Sequence, residues 1–478
     1  MSLVNQKLTP KQKALTINLD PTIYGTFAEI GAGQETVRHF FRAGGASGTI
    51  AKAMSAYDKD FSDAIYGKEF KNRYVTQNRL RKMLCYEASL IEERLTRERH
   101  PNTRYFSYAN TVTTINFNKT SQGHGWVGIR FQAELDQEYS EIVLHVKFHQ
   151  TDATLQQETL GRLGVNLIYG AFYYFDNPRR LIDSLYDDIS SDTLEIDMID
   201  FSGPAFEYVD NRLMSLQLVK SGFTDAVIFS PQGNALLPAD LLYKKNIFAV
   251  RGSFRPVTKV NVDMFNTGLE MFRKDNDCES ENVEVLFEIT ISNLRAAGDI
   301  DERDFLDRVD VLGQLGYNVI ISNYSEYYRL IDYFASFSNQ KMGIAMGVNN
   351  LLDVFDENYY TNLSGGILEA FGKFFRQDMR VYLYPYTDPN TGDMLTSDNL
   401  KVSENLKELY KYFKLNQRIV DIKNFNPNYS QIYSREILKM IASNQTGWEN
   451  RVPEGVAEMI KERGMFGYKE EFNLTVFS

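Results

Sequence analysis

The sequence is poor in cysteine, tryptophan and histidine, and these shortages exclude several kinds of site. Its 478 residues include 2 Cys, 2 Trp and 5 His. Cys85 and Cys278 are far apart in the chain, so they give neither a disulfide framework nor the paired cysteines of a zinc motif. No H-E-x-x-H motif is present, and the sequence identifies no metal and no cofactor.

Long apolar runs and an excess of positive charge are missing too. The longest apolar stretch, "VNLIYGAFYYF" from Val165, is shorter than the roughly 18 residues that a membrane helix needs. The formal net charge of −11 argues against a nucleic-acid-binding surface, because phosphates require a basic face. With few cysteines and no signal-peptide core in "MSLVNQKLTPKQK", the sequence predicts a soluble, cytoplasmic protein.

Aromatic residues are abundant, with 29 Tyr and 32 Phe. Aromatic side chains concentrate in packed cores and at interfaces, so one hypothesis is a non-catalytic, homo-oligomeric scaffold or assembly protein. The chain is longer than a single core normally supports, which predicts two domains. We place the boundary near residue 150, where the pattern changes from helices followed by strands to strands that alternate with helices.

The sequence pattern of residues 1–150 predicts a smaller α+β domain. A Gly-rich helical segment comes first, and "QNRLRKMLCYEASLIEERLTRERH" follows with one apolar helical face. The segments "YFSYANTVTTINF", "GWVGIRFQ" and "EIVLHVKFH" then predict three antiparallel strands.

Residues 151–478 predict a parallel α/β domain with C-terminal helices. Short apolar strands alternate with amphipathic helices, which is typical of a sheet covered on both faces. The strands are predicted in "LEIDMIDFSG", "DAVIFSP", "IFAVRG", "VEVLFEITISN", "NVIISNY", "KMGIAMGV", "RVYLYPY" and "RIVDIKNF". Eight strands favour a (β/α)8-barrel-like fold; if the eighth is false, an open, doubly wound Rossmann-like sheet is the alternative.

Polar residues follow these strands, and ligands of parallel sheets bind at the carboxyl ends of strands. The candidate ligand-binding residues are Arg251, Ser253, Arg255, Ser292, Asn293, Ser322, Asn323 and Gly347. The planar guanidinium group of arginine suits phosphate, so we expect this face to bind a small anionic metabolite, phosphorylated or nucleotide-like. Whether the protein also transforms this metabolite is left open by the sequence. Glu288, inside an apolar strand, is the first candidate general acid or base, and Asp200 is the second.

The stretch "GGASGTIAK" is a second candidate anion site. It fails as a P-loop because Thr49, not lysine, follows Gly48. Gly45, Ser47, Gly48 and Thr49 could still form a nest of N–H groups that opens a helix, with Lys52 in its first turn. The alternative is a tightly packed structural turn.

Histidines give one further candidate. His124 lies between glycines in "GHGW", where a hairpin tip would expose it as a proton carrier. His145 and His149 lie on one face of a predicted strand, although the spacing indicates no third metal ligand. A structural role is the alternative for all three.

Several long and specific segments of the sequence are "IYGTFAEIGAGQE", "HFFRAGGASGTIAKAMSAYDKDFSDAIYG", "YANTVTTINF", "GHGWVGIRFQ", "RGSFRPVTKVN" and "MGVNNLLDVFDE". In these segments, and over almost its whole length, the chain resembles a widespread, uncharacterised bacterial family. Members bear two contradictory names, TonB-dependent receptor and nicotinate-nucleotide adenylyltransferase. The first implies a signal peptide and alternating membrane strands, which the sequence lacks. The second implies a G-x-F-x-P-x-H-x-x-H motif, but "YGAFYYFDNPRR" has no histidine. The resemblance therefore implies no mechanism.

Overall fold

The structure is a computed structural model that describes residues 7–95, 101–276, 279–388 and 391–469. The chain forms two compact units, Met1–Thr224 and Asp225–Ser478. The division therefore lies further along the chain than residue 150, because the segment after that position completes the sheet of the first unit. Exposed Cys85 is a free thiol, and Cys278 lies outside the described residues.

The first unit is a six-stranded mixed sheet with helices. Its strands are β1 (Ile23–Ile30), β2 (Ile50–Met54), β3 (Arg104–Thr113), β4 (His124–Phe131), β5 (Ser140–Phe148) and β6 (Leu194–Ser202). Its helices are α1 (Pro10–Asn18), α2 (Glu35–Ala43), α3 (Lys59–Tyr66), α4 (Gln77–Arg94), α5 (Ala153–Tyr173), α6 (Pro178–Leu185) and α7 (Asn211–Lys220). The strand order is β2-β1-β3-β4-β5-β6. Strand β1 runs parallel to β2 and β3, and the ladders from β3 to β6 are antiparallel.

Strand β6 corrects one prediction. The sequence pattern places "LEIDMIDFS" at the start of the parallel sheet, but the strand pairs antiparallel with β5. Most of its residues are buried, so its apolar run resembles that of a strand in a parallel sheet. Helix α5, nearly all apolar and buried in its second half, packs in the same core.

The second unit is built on an eight-stranded sheet. The strands of this unit, inside and outside that sheet, are β7 (Ala226–Phe229), β8 (Ala235–Leu236), β9 (Asn246–Arg251), β10 (Val283–Thr290), β11 (Asn318–Ser322), β12 (Met342–Gly347), β13 (Arg380–Tyr384), β14 (Tyr386–Thr387), β15 (Met394–Leu395) and β16 (Ile419–Asp421). Its helices are α8 (Pro238–Leu241), α9 (Lys259–Asn276), α10 (Ile291–Arg295), α11 (Glu302–Gln314), α12 (Tyr327–Phe337), α13 (Val348–Val354), α14 (Gly366–Phe374), α15 (Lys407–Leu415), α16 (Ser434–Ala442) and α17 (Val456–Arg463). Strands β14 and β15 form a separate two-stranded ribbon.

The order of the large sheet is β16-β13-β12-β9-β10-β11-β7-β8. Strands β9 to β13 and β16 are parallel, whereas β7 runs antiparallel to β11 and β8 antiparallel to β7. The α/β class with parallel strands is confirmed. The barrel is not confirmed, since no pairing in the described part joins β8 to β16. The predicted strand "DAVIFSP" runs antiparallel, and "LEIDMIDFSG" belongs to the first unit.

Aromatic residues fill much of the second core. Phe371, for example, meets the ring edges of Phe355, Phe375 and Phe413 at centroid distances of 5.0–5.6 Å. Such edge-to-face contacts add to the free energy gained from burial alone. Within the described part of the chain, every helix is too short or too polar to cross a membrane.

Candidate functional site

A cleft opens at the carboxyl ends of β9 and β10 in the second unit. Its volume is about 250 Å³. We call it the strand-end cleft. It is lined by Arg251, Thr290, Ser292, Asn293, Ser325, Glu326, Tyr327, Asn350, Asp353, Val354, Tyr359 and Tyr360. Three of the residues predicted from the sequence, Arg251, Ser292 and Asn293, therefore meet in one place.

A buried ion pair lies at the edge of this cleft. Arg251 donates from Nε to Glu288 Oε2 at 2.6 Å and from Nη2 to Oε1 at 3.0 Å. Ser322 Oγ donates to the same Oε1 at 2.6 Å, and Glu288 is fully buried. Burial opposes the charge of Arg251, but Glu288, with smaller contributions from Tyr327 and Glu326, offsets this and raises the arginine pKa. Glu288 does not line the cleft, so it holds Arg251 in place and is not positioned as the predicted general acid or base.

Tyr327 is held beneath the guanidinium of Arg251. The guanidinium carbon lies 4.2 Å from the centre of the Tyr327 ring, a cation–π contact. Arg251 Nη1 also donates to the carbonyl oxygen of Ser325 at 2.8 Å, which fixes the turn before α12. The Tyr327 hydroxyl is buried and makes no well-formed hydrogen bond within the described residues, although Asn350 lies beside it. Burial raises the pKa of this hydroxyl, so it is a neutral donor at ordinary pH.

The remaining polar groups give the cleft a negative bias. Asp353 and Glu326 bring two carboxylates, and burial raises the pKa of Asp353. Arg251 is the one cationic side chain in the described lining, and Glu288 already balances its charge. At the first turn of α10, Thr290 and Asn293 cap each other, since Asn293 N donates to Thr290 Oγ1 at 3.0 Å.

Arg255 lies outside the strand-end cleft, in contrast to the prediction. Its Nε donates to Asp304, and Arg308 donates to the other oxygen of the same carboxylate. Arg308 Nη1 also donates to the carbonyl oxygen of Ser253 at 3.2 Å. Arg255 and Ser253 therefore belong to a network that fastens α11 to the loop after β9.

The other predicted strand-end residues have roles within the protein structure. Ser322 bonds Glu288, while exposed Asn323 donates its N–H to the carbonyl oxygen of Asp225 at 2.8 Å. Gly347 is the residue before α13. Neither Asn323 nor Gly347 is among the lining residues of the strand-end cleft.

The predicted anion nest at Gly45, Ser47, Gly48 and Thr49 does not open a helix. A 3-10 turn at Ala46–Gly48 leads instead into strand β2. Lys52, on that strand, pairs with buried Glu87 at 2.6 Å, and Tyr66 donates to the other Glu87 oxygen at 2.8 Å. β-branched Ile50 and the parallel pairing with β1 favour the strand over the expected helix.

The helix N-terminus in this region already holds an internal carboxyl group. Glu29, at the end of β1, accepts the N–H groups of Thr36 and Val37 at 3.2 and 2.9 Å. Asn110 Nδ2 donates to the same carboxylate at 3.2 Å. Burial nevertheless raises the pKa of Glu29 to about 7. The Gly-rich stretch thus folds around its own carboxyl group, which stands where an external anion would bind.

Asp200 and His124 lie in the first unit. Asp200 accepts from Arg81 Nη2 at 2.6 Å and from Asn211 Nδ2 at 3.1 Å; burial raises its pKa, and Arg81 offsets only part of this. His124 is the first residue of the internal strand β4, not the tip of a hairpin, and its Nδ1 lies 3.3 Å from His145 Nε2. No group of three or more His, Cys, Asp or Glu in the described chain is arranged to hold a metal ion.

Sequence reasoning missed Tyr327, Asn350 and Asp353. The signal was present in "SEYYRL" and "GVNNLLD", where polar residues come directly after the β11 and β12 strands. All three residues lie within helices, and their spacing is also that of ordinary amphipathic helices, so the pattern alone does not single them out.

Comparisons with known proteins add little. No family model and no curated protein matches the chain. Among solved structures, the competence/damage inducible protein CihA from Agrobacterium tumefaciens is 14% identical, with 36% of this chain and 99% of that chain covered and a TM-score of 0.24. A competence-damaged protein (CinA) superfamily protein from Enterobacter cloacae is 12% identical, with 35% of this chain and 96% of that chain covered and a TM-score of 0.25. A likeness of this extent says nothing about the fold or the activity of this chain.

Proposed function

We propose that the second unit binds a small polar metabolite in the strand-end cleft. The observation that carries this proposal is the Tyr327 hydroxyl, a buried group on a residue that lines the cleft, for which the described structure holds no well-formed hydrogen bond. Leaving a buried hydroxyl unsatisfied costs about 1–3 kcal/mol. A ligand oxygen that accepts from it removes that cost. The position, at the carboxyl ends of parallel strands, is also where such sheets bind ligands.

The charges of the cleft favour a neutral or amine-bearing ligand rich in hydroxyl groups. Asp353 and Glu326 accept hydrogen bonds and disfavour anions, although Arg329 lies 3.9 Å from Glu326 and offsets part of its charge. The charge of Arg251 is balanced by Glu288. Tyr359 and Tyr360 add aromatic surface suited to the apolar face of such a ligand. The competing class is the phosphorylated or nucleotide-like ligand expected from the sequence. To bind Arg251, such a ligand would have to overcome electrostatic repulsion by the two carboxylates.

Thermal unfolding of the full chain with three panels tests the proposal. The panels are neutral sugars and polyols, amines, and phosphorylated metabolites. A ligand at one hundred times its dissociation constant stabilises the folded state by about 2.7 kcal/mol. For a chain of this length that unfolds as one unit, the melting temperature rises by about 3 °C.

A rise with members of the first two panels supports the site and its ligand class. A rise with phosphorylated compounds alone supports the cleft but overturns the ligand class. A flat response to all three panels contradicts the proposal.

A homo-oligomeric scaffold is the second candidate function. Large hydrophobic side chains are exposed in the first unit at Phe41, Tyr57, Phe61 and Phe70, the last with 82% of its surface accessible. Light scattering at micromolar concentration tests this alternative. A monomeric mass counts against it, and a defined oligomer supports it.

A further inference from the structure

A second cleft, in the first unit, is lined by α4, by the end of β4 and by the segment that joins β4 to β5. Its volume is about 460 Å³, which suits a molecule of metabolite size. We call it the α4 cleft. The described residues that line it are Cys85, Ala88, Ser89, Glu92, Arg130, Gln132, Asp136, Gln137, Glu138 and Tyr139. None of them lines the strand-end cleft.

Arg130 brings an unpaired donor to the lining of the α4 cleft. Its Nη1 donates to Glu141 Oε1 at 2.6 Å, and its guanidinium carbon lies 4.9 Å from the centre of the Tyr139 ring. These two contacts hold the guanidinium in place, but Nε is buried and has no hydrogen-bond partner within the described structure. Arg251 differs, since Glu288 accepts from both its Nε and its Nη2. Arg130 therefore keeps a donor for an oxygen atom of a ligand.

Gln137 brings the complementary group, an unpaired acceptor. Its side-chain Oε1 is buried and lacks a hydrogen-bond partner among the described residues. The loop that carries it is fixed, because Gln132 Nε2 donates to the carbonyl oxygen of Gln137 at 3.0 Å and Gln132 Oε1 accepts the N–H of Tyr105 at 3.0 Å. A buried polar group without a partner costs free energy, and a ligand group that bonds it removes that cost.

The charges of the lining restrict the ligand further. Glu92, Asp136 and Glu138 are exposed carboxylates, and Arg130 is the one cationic side chain in the described lining. A ligand with negative charge alone would meet three groups of the same sign. A ligand with positive charge alone would leave Arg130 Nε without an acceptor. A zwitterion, with a carboxylate and an ammonium group, satisfies both conditions.

We propose that the α4 cleft binds a free α-amino acid. The carboxylate of the ligand accepts from Arg130 Nε. Its ammonium group donates to Gln137 Oε1 and is attracted by Glu92 and Glu138. The ring of Tyr139 offers apolar surface to the side chain of the amino acid. This site is in the first unit and is independent of the function proposed for the second unit.

Alkylation of Cys85 by iodoacetamide tests the proposal in the wild-type protein. Cys85 is an exposed free thiol that lines the cleft, so a bound ligand shields it from the reagent. Mass spectrometry of the peptide that contains Cys85 measures the alkylation and separates binding here from binding in the strand-end cleft. We expect an amino acid at ten times its dissociation constant to slow the alkylation about 10-fold, since about a tenth of the clefts are then empty. If none of the common amino acids slows it at up to millimolar concentration, the proposal is overturned.

Two analogues of the amino acid that protects Cys85 best test the ligand class. The N-acetyl derivative keeps the carboxylate and lacks the ammonium group, whereas the amide derivative keeps the ammonium group and lacks the carboxylate. We expect each analogue to need a concentration at least about 10-fold higher for the same protection, the loss of one charge-assisted hydrogen bond. Equal protection by either analogue overturns the zwitterionic ligand class.

Arg130→Lys tests the residue that binds the carboxylate. The change keeps the charge that pairs with Glu141 and removes Nε, so we expect at least about 10-fold weaker protection. Arg81→Lys is the matched control, because Arg81 also pairs with Glu141, at 3.5 Å, but does not line the cleft. Wild-type protection in Arg130→Lys overturns the proposal, and so does an equal loss in both variants, which would act through Glu141. The analogue measurements use the wild type and decide the question even where Arg130→Lys folds poorly.

Discussion

At the scale of single residues, Glu29 makes the stability of the first unit depend on pH. Burial raises its pKa to about 7, so the folded state binds this proton more tightly than the unfolded chain does. The stabilisation is complete below about pH 4.5 and is lost as the pH rises through 7. Between pH 5 and pH 8 we expect the free energy of unfolding to fall by about 2–3 kcal/mol relative to that of Glu29→Gln. Urea unfolding of both proteins at the two pH values measures this difference.

The control for this prediction is Glu35→Gln. Glu35 lies in the first turn of α2, is more exposed, and pairs with Arg38 at 3.0 Å. Its replacement should leave the pH dependence of the wild type unchanged. If Glu29→Gln also follows the wild-type curve, Glu29 is not the group that titrates.

At the scale of elements, the packing of α2 on α5 depends on a glycine. A Cβ at Gly164 would lie 2.4 Å from Thr36 Oγ1 and 2.5 Å from Tyr108 Oη, two atoms that hydrogen-bond each other at 3.1 Å. Alanine favours the helix by up to about 1 kcal/mol, but overpacking costs about 1–3 kcal/mol. We expect Gly164→Ala to lower the free energy of unfolding by about 1–2 kcal/mol.

For a matched helical glycine, Gly372, we expect the opposite effect of alanine on the free energy of unfolding. A Cβ at Gly372, on α14, would meet no atom of a neighbouring element within 4 Å. Gly372→Ala should therefore be neutral or should stabilise by up to about 1 kcal/mol. Chemical denaturation of the two variants tests the pair. Stabilisation by Gly164→Ala would contradict the close packing of α2 on α5.

At the scale of the whole molecule, the boundary after Thr224 predicts which fragments fold. A fragment of residues 1–224 contains all six strands of the first sheet together with α5. A fragment of residues 1–150 lacks β6 and α5, which leaves β5 as an open edge and removes a core helix. We expect the longer fragment to melt cooperatively by circular dichroism and the shorter one to aggregate or remain unfolded. Cooperative melting of the shorter fragment would contradict this boundary.

The sequence predicts elements better than the pairing between distant residues. The apolar face of α4 predicts the helix found at Gln77–Arg94, and strands β3 to β5 form the antiparallel set that their patterns indicate. The direction of strand β7 and the sheet to which strand β6 belongs depend on tertiary contacts. Local periodicity in the sequence carries no information about those contacts. The same holds for the site: Arg251, Ser292 and Asn293 follow strands and are identifiable from the sequence, but the pairing of Arg255 with Asp304 joins residues 49 positions apart.

The most direct test of the proposed binding function is the affinity of Tyr327→Phe for the panel member that gives the largest thermal shift. The change removes one hydroxyl group and keeps the ring beneath Arg251. We expect calorimetric titration to show affinity about 10-fold weaker than the wild type, the loss of one hydrogen bond. Tyr317→Phe is the control, since Tyr317 stacks on Phe287 at 4.3 Å and lies outside the lining of the cleft. Equal affinity in Tyr327→Phe and the wild type would contradict the proposed binding function.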